Sequence, residues 1–187
     1  MAEAGDEKVV AVIDCWRRTF SWRTLGGGVV RCFLIVTEGR VVEVETSHVA
    51  NVPPDTRPVS RLNGSVAEHL LDQLFQTGVW WLFSESRRRD EQAETEATLG
   101  SIAGITLSRA IRFLNEVLGP RFGVKWTRIS WTSELGTVEC ETVRRRGVHL
   151  EFTLRRGGER RRYAVAASDE ERAAELERVV KSMFGVQ

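Results

Sequence analysis

Apolar positions along this chain recur with a period of two in some stretches and of about 3.6 in others, which separates strands from helices before any other property is considered. Residues 9–13, Val-Val-Ala-Val-Ile, form a β-branched run that predicts a buried strand ending at Asp14. In residues 15–25, Trp16, Phe20 and Trp22 interleave with Arg17, Arg18 and Arg23, and Gly26-Gly27-Gly28 then reads as a hinge between strands. Residues 29–37 predict a second strand, Glu38-Gly39 a two-residue turn and residues 40–46 the returning strand. On that strand Val42 and Val44 alternate with Glu43 and Glu45, the period of a half-exposed sheet.

The middle of the chain changes to the helical period. Pro53-Pro54 and Pro58 mark a surface loop, after which Val66, Leu70, Leu74, Leu71 and Phe75 share one face of a helix over residues 65–76. Ser65 and Glu68 form a capping box at its start, and Gly78 stops it. Residues 79–83 predict a short apolar strand in which Trp80 and Trp81 are adjacent. Residues 84–98 hold no aliphatic side chain larger than alanine, so they cannot present a core face; they read as a charged flexible loop or a solvated helical extension. A long helix is expected over residues 99–118, ended by Gly119-Pro120.

From Val124 the period returns to two, predicting strands at 124–132, 137–143, 148–155 and 160–167. The last two make a hairpin about Gly157-Gly158, with Val148, Leu150, Phe152 and Leu154 inward and His149, Glu151, Thr153 and Arg155 outward. A two-residue turn sets Arg155 opposite Arg160, Thr153 opposite Arg162, Phe152 opposite Tyr163 and Leu150 opposite Val165. A final helix is expected from Ser168, with Glu171 completing a capping box and Leu176, Val179, Val180 and Met183 as its apolar stripe. Together these elements define a single α+β domain over residues 1–187, an antiparallel β-sheet packed with about three α-helices.

Composition leaves that picture intact. The chain of 187 residues is 42% hydrophobic and 28% charged, as ordinary globular domains are, and no apolar run reaches the roughly 18 residues of a membrane span. The acidic N-terminus lacks the pattern of a secretory signal, so the sequence is read as cytoplasmic and without a membrane partner. Cys15, Cys32 and Cys140 are odd in number and widely spaced, which fits buried free thiols better than a disulfide framework or a zinc site.

Charge adds the main functional clue. Net charge is only +1, yet residues 121–162 carry eleven basic and five acidic side chains, +6, with Arg144-Arg145-Arg146, Arg155-Arg156 and Arg160-Arg161-Arg162 among them. A GC-rich genome or a thermophilic habitat accounts for the arginine total but not for the clustering. Like charges set opposite each other in an antiparallel pair cost stability. The hairpin is therefore expected to meet either an anionic partner or a compensating carboxylate, with Glu151 and Glu159 the nearest.

Arginine makes two hydrogen bonds to one phosphate and stacks on bases, and aromatics give single strands a sequence-tolerant platform. The preferred reading is accordingly a non-catalytic protein that binds nucleic acid, single-stranded DNA or RNA over duplex, and needs no cofactor. Its expected contacts are Arg17, Arg18, Trp126, Arg128, Trp131, Arg144, Arg145, Arg146, Arg155, Arg160 and Arg162. No Gly-x-Ser-x-Gly or phosphate-loop motif points to nucleophilic or nucleotide chemistry.

An alternative comes from element order. A strand ending in Asp14, a hairpin, a helix carrying Glu68 and Asp72, and a strand followed by Glu85 are similar to the first half of ribonuclease-H-like folds. That resemblance implies a nuclease using Mg2+ or Mn2+, with Asp14, Glu68 and Glu85 as its acidic ligands. A third reading is a non-catalytic subunit, anchored to a protein partner or a second copy through Trp80 or Trp81.

Overall fold

The computed structural model describes residues 7–21, 26–51, 87–118 and 127–185. The helix expected at 65–76, the strand at 79–83 and the proline loop lie outside the described residues. The described chain forms seven strands: β1 Val9–Ser21, β2 Gly26–Thr37, β3 Arg40–Asn51, β4 Thr127–Glu134, β5 Glu139–Arg146, β6 His149–Arg156 and β7 Glu159–Ala166. Three helices accompany them, α1 Arg87–Gly100, α2 Leu107–Phe113 and α3 Glu170–Phe184. The described residues are thus α+β, an antiparallel sheet with three helices, the fold class that the periodicity predicts.

Several boundaries differ from expectation, each for a local reason. β1 does not end at Asp14 but runs through the arginine and tryptophan segment, because every residue from Ala11 to Ser21 finds a partner on β2. Gly26-Gly27-Gly28 is the start of β2, paired with Ser21, Phe20 and Thr19, and not a hinge. Residues 87–100 are helical, which settles the choice between loop and helical extension; Thr95 and Leu99 are buried, so this helix also has a packed side. The long helix expected over 99–118 is broken after Gly100 by a turn in which Gly104 takes φ 86°, and α2 then continues as a π-helical turn, Leu114–Leu118. Asp169, not Ser168, caps α3, its carboxylate accepting from the Arg172 amide at 2.7 Å. Ser168 instead donates through its hydroxyl to Glu96 Oε2 at 2.7 Å, tying α3 to α1.

The sheet order is β4-β3-β2-β1-β7-β6-β5, so consecutive strands are neighbours everywhere except between β4 and β5. Those two edges are joined by only the short 3-10 turn Leu135–Thr137 and Val138. A flat sheet would hold β4 and β6 five strand spacings apart, about 24 Å. Yet Arg156 Nη1 on β6 donates to the Thr132 carbonyl on β4 at 3.3 Å. Arg161 on β7 likewise lies 5.2 Å from the ring centre of Trp131 on β4. The sheet therefore curls on itself like an open barrel, with one concave and one convex face.

The concave face is lined by Ile13, Cys15, Cys32, Leu34, Val36, Phe152, Leu154 and Tyr163, and α3 fills it with Ala173, Leu176, Val180 and Phe184. The Cys140 amide on the β5 edge donates to the Gly185 carbonyl at 3.2 Å, so the end of α3 closes part of that edge. On the convex face, α1 and α2 cover β2 and β3 through Phe33, Ile35, Val42 and Val44 against Leu99, Ile102, Leu107, Ala110 and Leu114. Both faces of β2 are consequently dry, which is why Phe33, Leu34, Ile35 and Val36 run without a polar interruption.

Candidate functional site

The register of the β6–β7 hairpin is the one the sequence predicts: Arg155 faces Arg160, Thr153 faces Arg162, Phe152 faces Tyr163 and Leu150 faces Val165. Since Leu150, Phe152 and Leu154 are on the concave side, alternation puts Glu151, Thr153 and Arg155 on the convex side, with Arg160 and Arg162 beside them. β5 adds Arg144, opposite Glu151, and Arg146, opposite His149, to the same side. Arg17 of β1 pairs with Tyr163 and reaches into the concave side, so Arg18 and Trp16 belong to the convex one. Arg18, Arg144, Arg146, Arg155, Arg160 and Arg162 thus share one sheet face, and no described helix packs on its β5–β7 part.

The opposed arginines have counter-charges on β5. Arg155 Nη2 donates to Glu139 Oε2 at 2.8 Å, and Arg160 Nη2 to Glu141 Oε1 at 2.6 Å. The hydrogen bond and charge of Glu139 raise the Arg155 pKa above its ordinary value. Glu159, expected on this face, instead pairs with Arg161 at 2.7 Å on the other side.

Three other expected contacts belong to the concave side or its rim. Arg145, next to Leu150 of β6, bonds Glu177 of α3 at 2.9 Å. Arg128 bonds Glu45 at 3.0 Å. Trp131 is buried in the core with Arg161 over its ring, so it is not an exposed stacking platform. Trp126, Glu68 and Glu85 lie outside the described residues. Asp14 is 8% exposed and accepts both a 3.0 Å bond from Arg31 Nε and a 2.5 Å bond from Arg31 Nη2. Among the described residues no three His, Cys, Asp or Glu side chains gather as a metal centre would need.

The sequence reading placed Glu43 and Glu45 on a solvated face; both are buried, Glu43 completely. Glu43 Oε1 accepts from Arg17 Nε at 2.8 Å and from the Ser130 hydroxyl. Its Oε2 accepts from Arg161 Nη1 at 3.0 Å and from the Tyr163 hydroxyl at 2.6 Å. Arg17 Nη2 extends the network to Glu45 Oε2 at 2.9 Å. Burial pushes the Glu43 carboxyl upward, but the charge of Arg17, the bonds from Ser130 and Tyr163 and the charge of Arg161 outweigh it, and its pKa is lowered. Burial, followed by the Glu43 charge, holds the Tyr163 phenol well above its usual value. Alternation correctly put Glu43 and Glu45 on one face, but it carries no signal that the sheet curls over that face.

Cys15 and Cys32 face each other across β1 and β2 with their sulfurs 3.4 Å apart, and all three cysteines are buried and free. No protein-family model matches the chain, and neither the curated proteins nor the solved structures gave a significant match.

Proposed function

We propose that this protein binds nucleic acid, with single strands preferred, through the convex face of β5, β6 and β7. The observation that carries the reading is one of placement: six arginines share this face with three glutamates, Glu139, Glu141 and Glu151, leaving a local positive excess on a nearly neutral molecule. A polyanion senses such a local field although the net charge is +1. Arginines at alternate positions of one strand stand about 7 Å apart and those on neighbouring strands about 5 Å, a spacing that suits successive phosphates of one chain. Half-buried Trp16 is the aromatic that supports stacking on this face, which favours unpaired bases. The site residues under this proposal are Arg18, Arg144, Arg146, Arg155, Arg160 and Arg162, acting as binding groups without a cofactor inside the cell. Arg17 and Trp131 serve the concave network and leave the list, Arg145 turns to Glu177 of α3, and Arg128 stays at the rim with its side chain open to solvent.

The test is a salt-titrated binding assay with labelled single-stranded DNA, single-stranded RNA and duplex, with and without Mg2+. Binding is expected to weaken linearly in log affinity against log salt. Arg144→Ala, Arg146→Ala and Arg162→Ala are each expected to flatten that slope by about one phosphate's share. Absence of binding to all three probes at low salt refutes the proposal; strand cleavage with Mg2+ present would favour the nuclease reading instead.

A further inference from the structure

The strand that brings two carboxylates to the tip arginines, β5, carries a specific irregularity. β5 pairs with β6 in register except between Cys140 and Thr142, where Glu141 is an extra residue without a partner on β6. Cys140 turns into the concave core and Thr142 outward, its hydroxyl donating to Thr153 Oγ1 at 3.0 Å. In a regular strand Thr142 would face inward as Cys140 does; the extra residue turns it outward beside Glu141. A bulge bends the strand and re-aims a side chain. Here Glu141 and Thr142 both lie outward, and Glu141 bonds Arg160 at 2.6 Å beside the regular pair of Glu139 with Arg155 at 2.8 Å. Both pairs are in contact with solvent: the Arg160 side chain is 65% exposed and that of Glu139 47%.

We infer that Glu139 and Glu141 are built-in competitors for phosphate, occupying Arg155 and Arg160 until a polyanion displaces them and so setting the affinity and salt sensitivity of the face. This rests on the nucleic-acid reading above. A carboxylate and a phosphate offer the guanidinium the same kind of anionic acceptor, so the arginine cannot satisfy both with the same N–H groups. Exposed ion pairs are weak and are screened by salt, so multivalent phosphate can exchange for them. A nucleic acid then gains two contacts only by releasing two carboxylates into water. The arrangement favours long or densely charged ligands over isolated anions.

The experiment compares the full chain with Glu139→Gln/Glu141→Gln, and with a control pair, Glu38→Gln/Glu175→Gln, which removes two exposed negative charges from other elements. The probe is a labelled single-stranded oligonucleotide titrated across salt concentrations. The site pair is expected to bind about tenfold tighter than wild type, with a log–log salt slope steeper by about 1.4, the share of two further single-strand phosphates. Adding Arg155→Gln and Arg160→Gln should abolish that gain, and the same two arginine changes should weaken binding less in the otherwise wild-type protein than in the Glu139→Gln/Glu141→Gln background. Equal tightening by the control pair, or no tightening by the site pair in a protein that binds through Arg144 and Arg162, overturns the inference and leaves the proposed function standing. A wild-type chain that binds no probe at low salt overturns both.

Discussion

Glu43 of β3 and Arg161 of β7 stand three strands apart in the sheet order and share a 3.0 Å ion pair inside the curled sheet. The pair is one arm of a buried group in which Arg17, Ser130 and Tyr163 also converge on the same carboxylate. It joins β1, β3, β4 and β7, so it acts as a cross-brace on the concave side.

Replacing Glu43 by Gln should cost about 3 kcal/mol of stability, because Arg17 and Arg161 keep their charge in a site that no longer balances it. Tyr163→Phe, which removes one donor to the same carboxylate, should cost about 1 kcal/mol. Urea unfolding followed by tryptophan fluorescence measures both. A loss for the Gln variant no larger than for Tyr163→Phe would show that the network is not a brace.

The same carboxyl predicts an acid limb in the stability profile. Its pKa is lowered in the folded protein from an ordinary value of 4.5, so its contribution is complete above pH 4.5 and disappears as pH falls through the lower folded value. His149 acts higher on the scale: burial lowers its pKa from 6.5, so its contribution is complete above pH 6.5 and declines below it. Thermal midpoints taken across the acid range should show both limbs. Glu43→Gln should remove the lower one and His149→Gln the upper one; unchanged limbs in those variants would refute the assignments.

Burial holds the Cys15 and Cys32 thiols above their ordinary pKa and pushes Cys140 to about 11, so none is a ready nucleophile at neutral pH. Ellman's reagent should therefore titrate almost no thiol in the native protein and three in denaturant. A rapid native reaction at Cys15 or Cys32 would mean that the concave side opens on the timescale of the assay.

Under the proposed function Trp131 is a structural aromatic and not a binding one. Trp131→Leu should lower stability by about 2 kcal/mol, through lost burial and lost contact with Arg161, and leave the salt slope of oligonucleotide binding unchanged. Chemical denaturation and the binding titration, run on one preparation, distinguish the two effects. A changed slope with unchanged stability would place Trp131 in the interface.

Asp14 offers a parallel contrast. Asp14→Asn removes the charge from the carboxylate that holds both Arg31 Nε and Nη2, and about 3 kcal/mol of stability should be lost. If the same change abolished a Mg2+-dependent cleavage while leaving the unfolding curve in place, Asp14 would be a ligand and not half of an ion pair.

Local signals were read well where they depend on neighbours in sequence. The β2–β3 turn at Glu38-Gly39 and the β6–β7 register follow from alternation and turn residues alone, which is why Arg155 and Arg160 could be placed opposite each other. Helix caps were less secure: Ser168 and Asp169 both suit the N-cap, and the contact of Ser168 with Glu96, 72 residues away, leaves that role to Asp169. The break after Gly100 was equally hidden, because the bonds of Val9 with Ile105 and Gly104 that support it come from the other end of the chain.

By itself, then, the sequence determined the class of fold, the three free buried thiols and an ordered hairpin with arginine facing arginine, all of which rest on period, spacing and burial preference. Tertiary structure alone decided which charges lie on the open face of the sheet and which lie in its interior. The curl buries Glu43 and Glu45 with Arg17 and Arg161 half-buried around them, and β5 sets Glu141 against Arg160. The physical reason is that a charge is read by its surroundings, and those surroundings come from strands up to five positions away in a sheet whose curvature no local pattern records.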